Sequence, residues 1–504
     1  MPRPLIFLFP ALALALAAAM APISAQDAPN QGAPDTSNKA SQALEAPSQA
    51  DAESSFFGDD QSMAETQAPT KGSGLDQFLK DDQGIKWGGT LKSDIGWYGG
   101  WIGQNQWPDP ASLTKNWGDD FSGDFEGKIY LDARPEKAYR VKVALWTAWP
   151  FANDAPLALP SPLLGTTTVA VPNIKLWELF ADINIQDRVF VRIGKQVNSW
   201  GLLGSAYSPT DVISLTPKDV TDLTAEREGP LALKVTVPES AWNANFTGLI
   251  LARDDYFSSD PTWRDVGYAA KGEILLKYTE VALGGFYQRS AAPKLIGTLT
   301  SGLGYLPLPF VRDINIFSES ALSWGSDKLL GTGTSPFGTF TSLDKPDSGL
   351  YYLGTLGASY SNSDYNYSVS LEYFFNGLGS NDIDYAGRAY ATYASQGGSS
   401  SPLTIGDLLN PGMHNLTGFL TFTDIDGSKF GSTTIWQQNF SDKSGWLREK
   451  VTFDPWDYVS FYAGFDFVYG AEGTEFTLTH MDPYTGATER LFFFLGTTMG
   501  TGSF

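Results

Sequence analysis

The fold of this chain is decided by a pattern that is clearest at residues 125–134, which read FEGKIYLDAR. The first residue and every second one after it are apolar or glycine, whereas the residues between them are charged except for Tyr130. Because the side chains of a β-strand point alternately to its two faces, this stretch predicts a strand with one apolar and one ionic face. The same alternation recurs along the chain at residues 139–149, 177–185, 188–196, 270–278, 365–375 and 459–469.

Alternating segments of about ten residues, separated by turns or by longer polar loops, are typical of antiparallel β architecture. A soluble β-sandwich shows the same alternation, so other features must decide between a sandwich and a membrane barrel. Aromatic residues crowd the ends of the apolar faces, tight and long connections alternate, and the last segment, residues 491–504, ends in the aromatic Phe504. These features favour an all-β fold, a single transmembrane antiparallel β-barrel of about 16 strands, or else 14 or 18, with a water-accessible lumen.

Three regions follow one another along the chain. Residues 1–25 carry one basic residue, a long apolar run and a small-residue end, which predict a Sec signal peptide. Residues 26–74 are rich in Ala, Ser, Gln, Pro and acidic residues, so they predict a disordered acidic linker. Residues 75–504 contain all of the alternating segments and are expected to form the barrel. Export and a barrel together predict a place in the cell outer membrane, in contact with its lipid.

The composition argues against several classes of function. The 56 acidic residues outnumber the 34 basic ones and give a net charge of −22, whereas nucleic-acid binding needs a cationic surface. With no cysteine and only two histidines, His414 and His480, far apart in sequence, a metal site is not expected. No serine motif accompanies either histidine, so we predict no catalytic residues, no enzymatic activity and no cofactor.

A short motif carries a resemblance to a known family. Residues 192–201 read RIGKQVNSWG, and they are followed by SPTDV at 208–212 and EREGP at 226–230. This segment resembles one found in poorly characterised porin-like outer-membrane β-barrels of bacteria, including spirochaete ones. The resemblance covers about 40 residues and implies an outer-membrane location, with Phe504 as the main signal for the barrel assembly machinery.

Charged residues on the ionic faces of the early strands are the candidates for the pore lining. Facing bases and acids would set up a transverse electric field across the lumen. The alternative is that these charges only solvate the lumen. The predicted pore-lining residues are Lys128, Arg134, Arg140, Lys142, Glu178, Asp182, Arg188, Arg192 and Gln196.

The stretch that follows Gln196 is too long and too polar for a tight turn, yet it is rich in proline and charge. We expect a loop that bends into the lumen and narrows it; an ordered periplasmic or surface loop is the alternative. The predicted constriction residues are Asp211, Glu226, Arg227 and Glu228. We expect the three acids to pair with bases on the wall, namely Arg140, Lys142, Arg188 and Arg192.

A passive diffusion channel for small hydrophilic solutes is the function that this pattern favours. The alternative is a surface-exposed structural or adhesin barrel with a plugged lumen. A fatty-acid transporter is disfavoured because the predicted lumen faces are ionic. Association of the chain with further copies of itself is left open.

Overall fold

A computed structural model of the chain describes most of the residues from Gly84 to Gly500. The described ranges are 84–102, 117–136, 138–149, 157–161, 165–169, 174–202, 205–215, 218–223, 227–252, 262–306, 311–362, 365–395, 412–480 and 488–500. The predicted signal peptide and linker, residues 1–74, lie outside the described residues. No helix within the described ranges is both long enough and apolar enough to cross a membrane.

Strands dominate the described residues, and they are numbered here in chain order. The first half contains β1 Gly84–Ile102, β2 Trp117–Glu136, β3 Tyr139–Trp149, β4 Leu157–Ser161, β5 Gly165–Val169, β6 Ile174–Ile185, β7 Val189–Lys195, β8 Leu231–Glu239, β9 Ala244–Ala252, β10 Gly267–Leu276 and β11 Thr279–Tyr287. The second half contains β12 Lys294–Gly302, β13 Ile314–Trp324, β14 Leu330–Thr332, β15 Ser342–Asp344, β16 Leu350–Asn362, β17 Tyr367–Asn376, β18 His414–Phe422, β19 Phe430–Asn439, β20 Gly445–Trp456, β21 Val459–Tyr469 and β22 Glu489–Met499. The described residues also contain two α-helices, α1 Tyr385–Ser395 and α2 Glu475–Thr479.

Eighteen of these strands form one antiparallel sheet that closes on itself. Each strand pairs with the next barrel strand along the chain, and β22 returns to pair with β1, where Ser93 lies opposite Met499. The short pairs β4–β5 and β14–β15 are separate hairpins within connections. The prediction of a single antiparallel barrel is therefore confirmed, but the leading count of 16 is wrong, since the sheet has 18 strands. Strands such as β12 lack the repeated charges of the early strands, because after Lys294 their inward positions are Ile296, Thr298 and Thr300.

The connections divide the barrel into two ends. One end, the turn end, has connections of 2 to 11 residues, namely 137–138, 186–188, 240–243, 277–278, 303–313, 363–366, 423–429 and 457–458. The other, the loop end, has 103–116, 150–173, 196–230, 253–266, 288–293, 325–349, 377–413, 440–444 and 470–488. At turn 186–188, Gln186 and Asp187 both have positive φ, 53° and 54°, which matches the right-handed twist of a two-stranded ribbon.

The two faces of the wall differ as the alternation predicts, and β3 shows this clearly. Arg140 and Lys142 point inward and are buried, whereas Val141 between them points outward and is 42% exposed. Tyr139 and Trp149 lie at the two ends of the outward row of this strand and are about half exposed. The barrel thus has an apolar outer surface with aromatic ends and an inner surface that carries the charges.

Candidate functional site

The connection between β7 and β8, residues 196–230, is the feature that shapes the lumen; we call it the inward loop. It leaves and re-enters the wall at neighbouring positions, because Lys195 lies opposite Leu231 in the pairing of these strands. Gln196 is fully buried at its base and donates from Nε2 to the Ala232 carbonyl oxygen at 3.0 Å. A Cβ atom on Gly229 would lie 1.8 Å from the Gln196 carbonyl oxygen, so the base of the loop closes only with glycine there.

The inward loop packs on an apolar section of the inner wall. Trp200, Val212 and Ile213 of the loop are buried in a cluster with wall and loop-end residues, namely Ala232, Leu249, Leu251, Ala269, Phe286, Ala291, Ile296 and Ala321. Most of these partners lie on β8 to β13. Burial of one large apolar side chain contributes about 1.5–3 kcal/mol. The loop is therefore held inside the barrel by hydrophobic contacts as well as by polar ones.

Glu319, on the inward face of β13, is one of two carboxylates that hold the loop. It has no solvent exposure and accepts hydrogen bonds from the backbone N–H groups of Leu202 and Thr210, at 2.8 and 3.3 Å. The Thr210 hydroxyl also donates to it at 2.5 Å. Backbone N–H groups buried in a loop need acceptors, and a carboxylate on the wall supplies them.

Glu372, on β17, holds a second point of the loop in the same way. It is also fully buried and accepts from the N–H groups of Ala206 and Tyr207, at 2.8 and 2.7 Å. The Tyr207 ring stacks on Phe374 with centroids 4.6 Å apart, and Gln437 of β19 donates to its hydroxyl at 3.3 Å. Burial and nearby carboxylates raise the pKa of Tyr207, so its hydroxyl stays neutral.

These contacts take the loop across the lumen. Counted around the closed sheet, β17 is the eighth strand after β7 in a ring of 18, which is close to the opposite wall. The polar contacts of the loop with distant strands fall on β13, β16, β17 and β19. A connection that starts on one wall and hydrogen-bonds to the facing wall reduces the open cross-section between them.

The charges of the inward loop pair differently from the prediction. Asp211 pairs with Arg227 inside the loop, and Glu228 pairs with Lys195 at 2.5 Å, at the end of β7. Glu226 lies outside the described residues. Lys218 donates to the Leu202 carbonyl oxygen at 2.9 Å, and burial lowers its pKa. The predicted pairing of Asp211 with the wall bases Arg140, Lys142, Arg188 and Arg192 is wrong, because its partner is Arg227 of the loop itself. Glu228 does pair with a base on a wall strand, but that base is Lys195 at the end of β7.

The wall bases are instead paired with wall acids, in a chain of contacts across β2, β3, β6 and β7. Arg140 binds Asp132 through Nε and Nη2, at 3.1 and 3.0 Å, and its Nη1 lies 3.7 Å from Asp182. Arg192 binds Asp182 through Nε and Nη2, at 2.7 and 3.1 Å. The Phe180 ring lies under this chain, 4.1 Å from the Arg192 guanidinium carbon. We call these four charged residues the ion-pair ladder.

The other predicted pore-lining residues occupy different surroundings. Lys142 pairs with Glu178 at 3.1 Å, and both are buried on the inward face. Arg134 lies 3.4 Å from Asp132 and is partly exposed, as is Lys128 on the same strand. Arg188 lies in the exposed turn 186–188, and its assignment to a wall strand is therefore wrong. Burial of the paired residues limits their contact with water in the lumen.

A second charged section of the wall, on β20 to β22 and β1, was missed by the sequence reasoning. Arg448 binds Asp466 with bonds of 2.8 and 2.6 Å, and Lys450 lies 4.8 Å from the Tyr462 ring centroid. The Tyr462 hydroxyl donates to Asp94 on β1 at 2.5 Å. Arg448 and Lys450 alternate with the apolar residues Leu447 and Val451, but Glu449 lies between them in the sequence. This acid interrupts the apolar face, so the strand does not show the alternation that identified the other strands.

A buried carboxyl group joins three connections at the loop end. Glu475, at the start of α2, accepts from the Gly412 N–H at 2.7 Å and from the Asn439 amide at 2.8 Å. Its own N–H donates to Asp442 at 2.7 Å. Burial and the charge of Asp442 raise the pKa of Glu475 to about 8, although both hydrogen bonds act in the opposite direction.

Stability is expected to depend on pH through Glu475. Its ordinary pKa of 4.5 is raised to about 8 in the folded chain, so the folded state holds a proton that the unfolded chain releases in this window. The contribution is complete below pH 4.5 and is lost as the pH rises to about 8. Glu475→Gln is expected to flatten the fall in melting temperature across this window, measured by circular dichroism in detergent. An unchanged slope would contradict the assignment.

The described residues form a closed antiparallel β-barrel whose lumen is crossed by one of its own loops. No group of three or more potential metal ligands occurs among the residues whose positions the structure describes. No protein-family model matches the sequence, and no curated protein matches it.

Several solved structures are similar to this chain in overall fold. They include OccAB1 of Acinetobacter baumannii, with 13% identity and a TM-score of 0.46 over 84% of this chain and 97% of that chain. OccAB2 of the same organism has 9% identity and a TM-score of 0.45 over 86% and 99%. OccK11 (OpdR) of Pseudomonas aeruginosa has 9% identity and a TM-score of 0.42 over 84% and 96%. The assignment of a closed barrel rests on the strand pairing of this chain itself.

Proposed function

We propose that the protein is an outer-membrane channel through which small hydrophilic solutes diffuse passively. An apolar outer surface with aromatic residues at the strand ends suits a barrel that spans a bilayer, with lipid as its surroundings. A lumen within an 18-stranded sheet is wide enough to conduct before any loop enters it. The proposal includes the barrel assembly machinery as the partner that inserts it.

One observation carries this proposal: charged side chains inside the closed barrel remain exposed to solvent. Lys92, Asp124 and Glu126 point inward from β1 and β2, yet all three are exposed. Arg448 and Lys450 on β20 are partly exposed. A barrel filled by its loops would bury such charges, so their exposure favours a water-filled path over a plugged lumen.

The path is expected to follow one arc of the wall. The inward loop makes its distant polar contacts on β13 to β19 and its largest apolar contacts on β8 to β13. A smaller apolar contact joins Val220 of the loop to the cluster of Ile435, Trp446, Val468 and Phe476. The strands on the other side run from β20 through β22 and β1 to β7 without a break, because β22 pairs with β1. Both charged sections of the wall lie on this arc, which we call the charged arc. Solutes passing beside the loop would therefore meet the exposed and partly exposed charges of this arc, such as Lys92, Glu126 and Lys450, whereas the ion-pair ladder is buried.

A change in ion preference is the expected result of altering this arc. Lys450→Gln removes a partly exposed positive charge from the lumen, so the reversal potential in a KCl gradient should move toward cation preference. Lys429→Gln, in the exposed turn 423–429 at the turn end, is the matched control and should leave the reversal potential unchanged. Planar-bilayer recording of the purified, refolded chain measures both.

The same recordings separate the proposal from its alternative. A barrel that inserts into bilayers but passes neither ions nor sugars in a swelling assay would contradict the channel and favour a structural or adhesin barrel. The predicted signal peptide of residues 1–25, the acidic linker of 26–74 and the narrower resemblance to spirochaete proteins stay predictions from the sequence.

A further inference from the structure

The outer surface of β8 to β11 contains an open depression, which we call the trough. Its floor is formed by Gly248 on β9, Ala270 on β10 and Gly285 on β11, which lie side by side because Ala270 pairs with both glycines. These positions belong to the outward rows of their strands, and Ala270 is two residues from Tyr268, which is 45% exposed. A Cβ atom added to Gly248 would find no atom within 4 Å, so the space above the floor is open.

Large side chains border the trough on two sides. Tyr268 and Tyr287 lie opposite each other on the side nearer the loop end. Phe246 and Leu283 lie on the side nearer the turn end, where they flank Gly272. The trough consists of two adjoining cavities of about 550 and 440 Å³, and each has the size of a ligand pocket, about 300–1,000 Å³. It is therefore large enough to hold part of a ligand.

The trough lies at a depth that acyl chains occupy in a bilayer. Gly248 is the central residue of β9, so the floor falls near the middle of the wall. The strands of membrane barrels are tilted by about 35–45°, so a row of residues across them is inclined to the membrane plane. A hydrocarbon chain that enters from the leaflet at the loop end can therefore lie along the floor.

Two exposed arginines lie at the loop end beside the trough. Arg264 precedes the first residue of β10 by three positions, and Arg289 follows the last residue of β11 by two. Hydrogen bonds from Thr262 and the charge of Arg289 lower the pKa of Asp265, so Arg289 lies close to this residue and to its neighbour Arg264. The carboxyl group of Asp265 is buried and accepts from Thr262 at 2.7 and 3.0 Å, whereas both arginines are exposed.

We propose that the trough binds an acyl chain of a phosphate-bearing anionic lipid whose headgroup is bound by Arg264 and Arg289. Hydrocarbon surrounds this face in the membrane placement proposed above, and a guanidinium group binds a phosphate through two parallel hydrogen bonds. Gly285 and Arg289 are four residues apart, which is about 13 Å along an extended chain and within half of the ~30 Å hydrocarbon core. The inference rests on that placement and is independent of conduction.

The shape of the trough favours a lipid chain over a second copy of the barrel. The floor spans three strands, or about 10 Å, because neighbouring strands lie about 4.8 Å apart. Its borders rise on both sides, and the walls of two barrels curve away from each other, so contact between barrels would leave the floor uncovered. A flexible acyl chain follows the floor and fills it.

Lipid preference is the first test. Full-length protein is delipidated in detergent and titrated with phosphatidylglycerol or with phosphatidylcholine of the same acyl chains, and native mass spectrometry counts the bound lipids. Phosphatidylglycerol is expected to bind at least about fivefold more tightly, because its headgroup carries a net negative charge. Inorganic phosphate at the same concentration is expected not to displace it, since phosphate lacks the acyl chain.

Filling the floor is expected to weaken this binding. Gly248→Leu places a side chain in the open space of the trough and should lower the affinity for phosphatidylglycerol about fivefold or more. Gly418→Leu, on the outward row of β18, is the matched control, because a Cβ atom added there finds no contact nearer than 3.7 Å. It should leave the affinity unchanged, and circular dichroism checks that both variants fold.

Removal of the two positive charges is expected to abolish the preference between headgroups. The double variant Arg264→Gln/Arg289→Gln should bind phosphatidylglycerol only as tightly as phosphatidylcholine. The matched control is Lys345→Gln/Lys443→Gln, which removes two exposed lysines from connections at the same end. This control should retain the preference for phosphatidylglycerol.

Several outcomes would overturn the proposal. They are equal binding of the two lipids by the wild type, an equal loss in Gly248→Leu and Gly418→Leu, displacement of the lipid by phosphate alone, and a complex of two copies without lipid. Flotation with liposomes tests the membrane placement separately. A protein that floats and yet shows no lipid preference contradicts this inference alone, whereas a protein that does not float contradicts the proposed function as well.

Discussion

Replacement of residues 199–227 by a short Gly/Ser turn is expected to raise the single-channel conductance at least about twofold, since barrels of 16 to 18 strands leave an open channel when nothing crosses it. The wall should survive the change, because Lys195 and Leu231 are already paired neighbours and a short turn can join their strands. Planar-bilayer recording of wild type and variant at one salt concentration measures the difference.

The control for this replacement is an exposed hairpin tip at the same end of the barrel. Residues 335–338 form the exposed tip of the β14–β15 hairpin, and a two-residue turn in their place should leave the conductance at the wild-type value. A conductance that is unchanged in the 199–227 replacement would remove the inward loop from the solute path and with it the constriction.

A graded effect is expected from the wall carboxylates that hold the loop. Glu372→Ala leaves the N–H groups of Ala206 and Tyr207 without their acceptor, so this segment should move away from β17. The conductance should then lie between the wild-type value and that of the full replacement, with more noise in the open state. Glu372→Gln keeps an acceptor and is expected to lie nearer the wild type.

Sequence patterns predicted which face of each strand turns inward, because that depends on local alternation alone. Arg140, Lys142 and Asp182 all lie on the face that the pattern assigned to the lumen. The partners of these residues were not predictable, since they follow from the register between strands. Asp182 lies opposite both Arg140 of β3 and Arg192 of β7, and a shift of one residue would separate all three.

The inward loop shows the same limit of prediction from sequence, because its binding partners lie far away along the chain. Proline and charge in residues 196–230 predicted order and an inward bend, but nothing local indicates what receives the loop. Glu319 and Glu372 are single acids in otherwise uncharged strands, 109 to 166 residues away from the N–H groups that they bind. Only the closed sheet brings these two acids opposite the loop. The sequence therefore predicted that the loop is ordered and bends inward, but it did not predict which wall residues bind the loop.

The largest loss of stability is expected from the ion-pair ladder. Asp182 is almost fully buried and is the acid shared by Arg140 and Arg192. Asp182→Ala leaves both guanidinium groups buried without this partner, and removal of one partner from a buried pair costs about 3–5 kcal/mol. Denaturant unfolding in detergent micelles, followed by tryptophan fluorescence, should show a fall of that size in the free energy of unfolding.

A comparison among acids of the same wall decides whether burial and pairing cause that loss. Glu126 also points inward, on β2, but is exposed, so Glu126→Ala should change the free energy of unfolding by less than about 0.5 kcal/mol. Asp182→Asn keeps the shape and one acceptor oxygen but removes the charge, and it is expected to fall between the two. If Asp182→Ala and Glu126→Ala prove equally mild, the two arginines must be solvated by lumen water, and the ladder then lines the path directly instead of stiffening the wall beside it.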